Sequence, residues 1–324
     1  MPASLTRWVS RFKEEVAEDP KRGLLHAGYT SYLGFWYTLS SRYPIGRTVY
    51  EDDWDLLIVL DACRIDVLQE VRDEYDYLDE IGRRLSVGSH SREWLAKTFS
   101  RVWCDEVGRT AMISGNPHTQ AVFHDGEYPP KEIVPFCRPK WDVVHSEDFA
   151  RLEELWQYDH GKGYGVPPRP VTDRTIATSR EVNPNRLIAH YMQPHIPYLS
   201  DVLAEGRELT HEEEKGWKAL ENDTLSAKEH WKLYRDNLRL VLDDIELLLE
   251  NVDADQVYLT ADHGNVFGEW GAYGHPEGLP HPKVKYVPWV TLSATDCGEY
   301  EPEYSLPKQS ETTVEDRLGD LGYL

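Results

Sequence analysis

Two acidic residues and a histidine stand where apolar runs of the sequence end. Asp61 follows the run Leu-Leu-Ile-Val-Leu at 56–60, and Asp262 and His263 follow Val-Tyr-Leu-Thr-Ala at 257–261. Continuous apolar runs are typical of strands buried on both faces, and such strands deliver polar residues to the carboxyl edge of an open α/β sheet. The two carboxylates and the imidazole are therefore predicted to converge.

These three side chains are suited to one divalent metal ion. Carboxylate oxygen with imidazole nitrogen favours zinc or manganese, whereas magnesium or calcium would need water to complete the coordination shell. The alternatives are that Asp61 caps the following helix and that Asp262-His263 is a solvated junction between a strand and a loop.

A hydroxyl nucleophile is predicted within residues 88–99. Ser91 is followed by Glu93 and an amphipathic turn, so it is predicted to be the N-cap of a helix. A hydroxyl there lies in positive potential that favours an alkoxide, and a metal ion would lower its pKa further. A purely structural helix cap is the alternative.

Further histidines are predicted to reach the same sheet edge. His190 and His195 lie at the end of a predicted strand, and His275 lies shortly after the Asp262-His263 pair. Imidazoles at such positions bind an oxyanion or protonate a leaving group. A single histidine after a strand is more often structural, but several at one edge favour a site.

The elements that would position these residues alternate between strands and helices. A helical pattern over 227–250 carries an apolar stripe, and 64–80 is predicted to be helical as well. This alternation predicts an α/β fold with a largely parallel central sheet flanked by helices. The predicted strands are 56–60, 109–115, 186–191, 256–260 and 286–292.

The sequence is expected to divide into three structural parts. Residues 1–50 form a helical and aromatic extension, 51–300 form the catalytic domain with a loop-rich insertion at about 124–180, and 301–324 form a tail. The aromatic stretch 29–37 could contact a membrane surface peripherally, although aromatic residues that cover the edge of a core are commoner.

The composition restricts the partners. The chain has 35 Lys and Arg against 57 Asp and Glu, a net charge of −22 spread along its length, which argues against nucleic acid as a partner. Such a generally acidic surface would suit the salt-rich cytosol of a halophile. No run approaches the roughly 20 apolar residues of a membrane span, so a cytoplasmic location is expected.

The order of these motifs resembles that of the alkaline phosphatase superfamily, specifically its sulfatase-like branch, which includes phosphoethanolamine and glycerol-phosphate transferases. The similarity extends from about residue 55 to residue 292. The segments that carry it are, in chain order, Leu60 to Asp66, Arg109 to His118, His190 to Tyr198, Thr260 to Glu269, and Gly274-His275.

The resemblance implies roles for individual residues. Asp61, Asp262, His263 and the nucleophile would ligate the metal ion; the nucleophile would be Ser91, with Ser89 as the second choice. Contact with the transferred group or the substrate would come from His195, His275, His190, Asn116, His118 and Arg64.

Two departures from the sulfatase pattern shape the predicted function. The residues after Ser91 lack the Pro and Arg of the type I sulfatase signature, and Ala62 stands where sulfatases commonly carry another carboxylate. The sequence therefore predicts a metal-dependent hydrolase or transferase acting on small-molecule or glycan phosphate esters. Sulfate ester hydrolysis is the first alternative, and a non-catalytic binding protein on the same fold is the second.

Overall fold

The structure is a computed structural model that describes residues 5–128, 141–160, 165–306, 313 and 318–319. Its helices are α1 (Leu5–Glu18), α2 (Pro20–Ser40), α3 (Ile65–Val71), α4 (Ser91–Thr98), α5 (Cys104–Val107), α6 (Pro168–Val182), α7 (Ser200–Glu205), α8 (His211–Glu214), α9 (Gly216–Glu221), α10 (Ala227–Leu249) and α11 (Pro282–Lys285). Its strands are β1 (Leu56–Asp61), β2 (Gly82–Leu85), β3 (Thr110–Ser114), β4 (Arg151–Glu154), β5 (Arg186–Pro194), β6 (Ala254–Ala261), β7 (Val266–Phe267), β8 (Tyr273–Gly274) and β9 (Tyr286–Ala294).

The central sheet has the strand order β2-β9-β6-β1-β5-β3-β4. Strands β6, β1, β5, β3 and β4 are parallel, β9 is antiparallel to β6, and β2 is antiparallel to β9. The predicted α/β fold with a largely parallel sheet is therefore confirmed. A separate two-stranded ribbon is formed by β7 and β8.

Strand β1 lies at the centre of the sheet and is buried on both faces. Its Leu56, Ile58 and Leu60 pack in the cluster that contains the apolar stripe of α10, whereas Leu57 and Val59 pack in the cluster of α4 on the opposite face. Alternate side chains of a strand point to opposite faces, so burial of both faces requires the continuous apolar run seen in the sequence.

The pairing of β1 brings its end beside the ends of two neighbouring strands. Val59 lies opposite Thr260 of β6 and His190 of β5. The register with β5 shifts after Leu60, so that Asp61 lies opposite Pro194. The carboxyl ends of three parallel strands thus meet at one edge.

One segment has less regular secondary structure than predicted, and another has more. The predicted helix over 64–80 ends at Val71 and is followed by a 3-10 turn over Arg72–Glu74, and Tyr75 and Leu78 after it are buried in the core without continuing the helix. The insertion at 124–180 is not only loop, since it contains β4 and α6. Residues 129–140 and 161–164 of that insertion, and most of the tail, lie outside the described residues.

The N-terminal extension is a pair of packed helices. Trp8 of α1 donates a hydrogen bond from Nε1 to Thr30 Oγ1 of α2 at 2.9 Å. Asp19 begins α2 as its N-cap by accepting hydrogen bonds from the backbone amides of Lys21 and Arg22, and Pro20 takes the first helical position. Within the described part of the chain, no helix combines the length and apolar character needed to cross a bilayer.

Candidate metal centre and active site

Asp61, Asp262 and His263 lie together at the carboxyl edge of β1 and β6, as predicted. All three side chains are fully buried, and one ligand atom from each lies within 4.8 Å of the others. The two strands are adjacent and parallel, so their ends place these residues side by side. Two carboxylates and an imidazole shielded from bulk solvent form a donor set that a divalent cation satisfies.

Hydrogen bonds aim the Asp262 carboxylate and the His263 ring at one point. Asp262 Oδ1 accepts from the backbone amides of Ala62 at 3.0 Å and His263 at 2.8 Å. Its Oδ2 accepts no hydrogen bond from the described residues and lies 3.4 Å from His263 Nε2. His263 Nδ1 lies 3.0 Å from the Gly264 carbonyl oxygen, which can only accept, so the ring proton is on Nδ1 and Nε2 is left as a ligand.

The turn after β1 holds a non-glycine residue in the left-handed region. Ala62 has φ +61° and is fully buried. Its carbonyl oxygen accepts from the Tyr234 hydroxyl at 2.6 Å and from Asn265 Nδ2 at 3.3 Å, while its amide donates to Asp262. Such a conformation costs free energy and persists where surrounding contacts enforce it, commonly at functional sites. Here the Ala62 turn links the segment that ends in Asp61 to the segment that contains Asp262 and His263.

Ser91 lies against the three candidate ligands. Its Oγ is 3.2 Å from His263 Nε2 and 3.5 Å from Asp61 Oδ2, and the side chain is fully buried. Ser91 was expected to be the N-cap, but it is the first residue of α4, and the N-cap is His90, whose Nδ1 accepts from the Arg92 amide. His90 has the extended backbone of an N-cap residue, and its ring makes the capping hydrogen bond. The Ser91 hydroxyl is therefore not needed as a cap and faces the candidate ligands.

Ser89 occupies a different environment. Its hydroxyl donates to Glu93 Oε2 at 2.6 Å and accepts from the Gly278 amide at 2.7 Å. The Ser89 amide also donates to Glu93 Oε2, at 2.8 Å. These contacts join the loop before α4 to the segment after His275, whereas Ser91 faces the ligand set.

Asn116 contacts the metal-ligand group directly. Its Nδ2 donates to Asp61 Oδ2 at 2.9 Å, and its Oδ1 accepts from the His118 amide at 2.9 Å. Its own amide donates to Ser114 Oγ, which lies 3.2 Å from His190 Nδ1. The His190 Nε2 is buried without a hydrogen-bond partner among the described residues. The ends of β3 and β5 thereby support Asp61.

A cluster of imidazoles covers the site. His195 Nε2 and His275 Nε2 are 2.9 Å apart, and the His275 ring centroid lies 4.4 Å from that of His263. The ring of His90 lies 5.1 Å from His275 and 4.8 Å from His118. The sequence interpretation omitted His90; its place between two serines in the predicted nucleophile segment was the available signal.

Burial keeps these imidazoles neutral. It lowers the pKa of His190 and of His195 to about 4 each. It also holds the pKa of His90, His118 and His275 well below the ordinary value of 6.5; the next cause is Arg92 for His118 and the neighbouring imidazoles for the other two. Neutral rings can each donate one hydrogen bond and accept another.

The predicted substrate-binding role of Arg64 is not supported by its contacts. Its guanidinium pairs with Asp66 at 2.6 Å and with Glu269 at 2.9 Å, and lies 4.9 Å from the centroid of the Trp231 ring. The hydrogen bonds and ion pairs that it makes with these described residues do not reach the ligand set. Because opposite charges already satisfy it, Arg64 joins α3 to the loop after β7.

The fold is similar to those of several solved enzymes. The chain is 12% identical to the soluble domain of lipooligosaccharide phosphoethanolamine transferase A from Neisseria meningitidis, with 78% of this chain and 80% of that chain covered and a TM-score of 0.45. It is 11% identical to the C-terminal periplasmic domain of EcEptC from Escherichia coli in complex with Zn, with 78% and 76% covered and a TM-score of 0.44. For a 2-O GAG sulfatase the identity is 14%, the coverage 83% and 70%, and the TM-score 0.40.

These neighbours are of the two kinds that the sequence motifs resemble, phosphoethanolamine transferases and sulfatases. No protein-family model matches the sequence, and a comparison with curated proteins gives no match. Sequence identities of 11–14% show a similarity of fold, and the activity is argued from the side chains of this chain.

Proposed function

We propose that this chain is a metal-dependent hydrolase or transferase that acts on phosphate esters through Ser91. The observation that carries the proposal is the convergence of Asp61, Asp262 and His263 on one buried point with the Ser91 hydroxyl 3.2 Å from His263 Nε2. A hydroxyl at the first turn of a helix, beside two carboxylates and an imidazole, is an arrangement suited to covalent catalysis.

Asp61, Asp262 and His263 would hold the cation, and the orphaned Asp262 Oδ2 is the clearest sign that they fit one. A divalent ion there would supply Lewis-acid polarisation of the phosphoryl group and favour the ionised hydroxyl. Asn116 orients Asp61, and the Gly264 carbonyl fixes the tautomer of His263.

The covalent step belongs to Ser91. Its proton leaves to water, its Oγ forms a bond to phosphorus, and the bond from phosphorus to the ester oxygen breaks on the opposite side. Water then attacks the phosphoserine and releases phosphate, or an acceptor hydroxyl attacks it and completes a transfer. The N-terminus of α4 offers positive potential to the oxyanions.

His275 is the better placed hydrogen-bond donor to the leaving oxygen. His195 Nδ1 lies 2.8 Å from the Ile196 carbonyl oxygen, so the ring proton of His195 is on Nδ1 and its Nε2 can only accept. The proton between the two Nε2 atoms, which are 2.9 Å apart, therefore belongs to His275. His195 thereby holds His275 in place. The His275 N–H can turn to the ester oxygen as a hydrogen-bond donor, and the departing oxygen takes its proton from water.

A comparison of matched aryl esters tests the proposal. With added zinc or manganese, we expect turnover of a nitrophenyl phosphate to exceed that of the corresponding nitrophenyl sulfate, and Ser91→Ala to lower it on the order of 10³-fold or more. Ser89→Ala, whose contacts are with Glu93 and Gly278, should keep the nucleophile and lose stability instead.

Full metal-supported activity in Ser91→Ala would refute the serine mechanism. Faster turnover of the sulfate ester would mean that sulfate esters, and not phosphate esters, are the substrate class. A protein that binds no metal and is unchanged by Asp262→Ala would instead be a binding protein on this fold.

A further inference from the structure

One face of α2 is apolar and exposed along most of the helix. Leu24, Leu25 and Phe35 are 60%, 66% and 57% exposed, and Tyr29 and Tyr32 are exposed as well. At 100° per residue these five positions fall within a sector of about 140°, and from residue 24 to residue 35 the helix rises about 17 Å. We call these five residues the α2 face.

Buried residues on the opposite side of α2 hold the helix against the fold. Thr30, Leu33 and Tyr37, on the other side of α2, are buried. Tyr37 packs with Trp141 at a centroid distance of 5.4 Å, and Thr30 bonds to Trp8 of α1. An exposed apolar patch of this kind indicates an interaction surface.

The charge near the α2 face differs in sign from that of the remaining chain. Residues 1–48 contain seven Lys and Arg against four Asp and Glu, while residues 49–324 contain 28 against 53. Lys13, Lys21 and Arg22 are exposed. Lys21 precedes Leu24 and Leu25 by three and four residues, so it lies on the same side of the helix.

We propose that the α2 face docks the protein on an anionic lipid surface, with the helix lying in the plane of the interface. Leucine and aromatic side chains on one face with lysine at its edge are the features that bury in the boundary between headgroups and acyl chains. The positive N-terminal helices are complementary to anionic headgroups. A second copy of this chain is disfavoured as the occupant, because it would bring two sets of these positively charged N-terminal helices together.

The contacts of α2 place the docked surface beside the candidate active site. The Tyr32 hydroxyl donates to the Gly278 carbonyl oxygen at 2.5 Å, and the Tyr29 hydroxyl donates to that of Glu277 at 3.0 Å. Both acceptors lie two or three residues after His275. Trp36 Nε1 donates to Glu93 Oε1 of α4 at 3.0 Å, in the helix that begins with Ser91. A surface bound by α2 would thus lie close to Ser91 and His275.

Vesicle flotation of the full chain tests the docking without any assay of activity. We expect binding to vesicles of phosphatidylcholine mixed with phosphatidylglycerol, and much weaker binding to phosphatidylcholine alone. The double variant Leu25→Ser/Phe35→Ser should bind the anionic vesicles about tenfold more weakly or worse, since two buried apolar side chains are lost. Val102→Ser, which changes an apolar residue that is 81% exposed elsewhere, is the matched control and should bind like the unchanged protein.

Circular dichroism confirms that the variants are folded, and light scattering gives the oligomeric state. The proposal is overturned if the unchanged protein does not float with anionic vesicles, or if the double variant floats as well as the Val102→Ser control. It is also overturned if the unchanged protein is a dimer that the double variant dissociates, because the α2 face would then be an interface between copies. None of these outcomes depends on whether Ser91 is a nucleophile.

Discussion

At the scale of single residues, the orientation of Asp61 depends on Asn116. The amide of Asn116 is buried and donates to Asp61 Oδ2, while the backbone of His118 fixes its other end. We expect Asn116→Ala to weaken zinc binding by about 10- to 100-fold without unfolding the protein, because the carboxylate loses its outer-shell partner. Isothermal titration of the metal-stripped protein measures the change.

Asn222→Ala at the exposed end of α9 is the control for Asn116→Ala and should leave the affinity unchanged. Equal affinities for the two variants would mean that Asp61 does not ligate the ion or needs no orienting partner.

The candidate ligands could be predicted from the sequence because each follows an apolar run. Asp61 and Asp262 are adjacent to residues that only a buried strand would contain, so their place at a sheet edge followed from pattern alone. The N-cap was assigned wrongly, since serine is a commoner cap than the imidazole of His90. The ion pair of Arg64 with Glu269 joins residues about 200 positions apart in the chain, which no local pattern reveals.

At the scale of elements, α4 is held by a buried charge network. Glu93 is fully buried and pairs with Lys97 at 2.5 Å, and nearby cations, Lys97 first and then Lys285, lower its pKa to about 2 despite its burial. We expect Glu93→Gln to lower the free energy of unfolding by about 3–5 kcal/mol, since it leaves a buried ammonium without its partner. Urea denaturation at neutral pH measures this loss.

Glu70→Gln provides the comparison for Glu93→Gln. Glu70 pairs with Arg235 at 3.2 Å in a partly exposed contact, so its loss should cost about 1 kcal/mol or less. If the two variants lose the same stability, the Glu93 network does not hold α4.

The strands of the central sheet that the sequence missed are polar. Strand β2 has the sequence Gly-Arg-Arg-Leu and β4 has Arg-Leu-Glu-Glu, and both are sheet edges. An edge strand has one neighbour and partial exposure, so its residues need not be apolar and its position comes from pairing with a distant partner. The antiparallel direction of β9 was likewise hidden, because an apolar run carries no information about direction.

At the scale of the whole molecule, buried neutral histidines predict acid sensitivity. Burial lowers the pKa of His190 and His195 to about 4 and of His230 to about 3, from an ordinary value of 6.5. Below pH 6.5 these imidazoles bind protons in the unfolded chain but not in the folded chain, so the free energy of unfolding should fall as the pH drops from 6.5 toward 4. Each such imidazole steepens the fall by about 1.4 kcal/mol per pH unit.

Urea denaturation at a series of pH values measures this slope. The His230 Nε2 lies 2.5 Å from the Tyr198 hydroxyl oxygen, and the ring packs on Trp217. His230→Gln keeps a hydrogen-bonding group but removes one titrating ring. The stability of the variant should therefore fall less steeply with pH, by about 1.4 kcal/mol per pH unit. Identical slopes for the variant and the unchanged protein would contradict this explanation.

Titration of the metal-stripped protein with zinc tests most directly whether the segments ending in Asp61 and Asp262-His263 share one cation. We predict saturation at a single ion per chain, with stability rising as the site fills, and a loss of affinity in Asp262→Asn of about 100-fold or more. Asp79→Asn, whose side chain is 96% exposed, should bind like the unchanged protein. No saturable uptake, or the same affinity in Asp262→Asn as in the unchanged protein, would contradict the metal centre and the catalysis proposed from it.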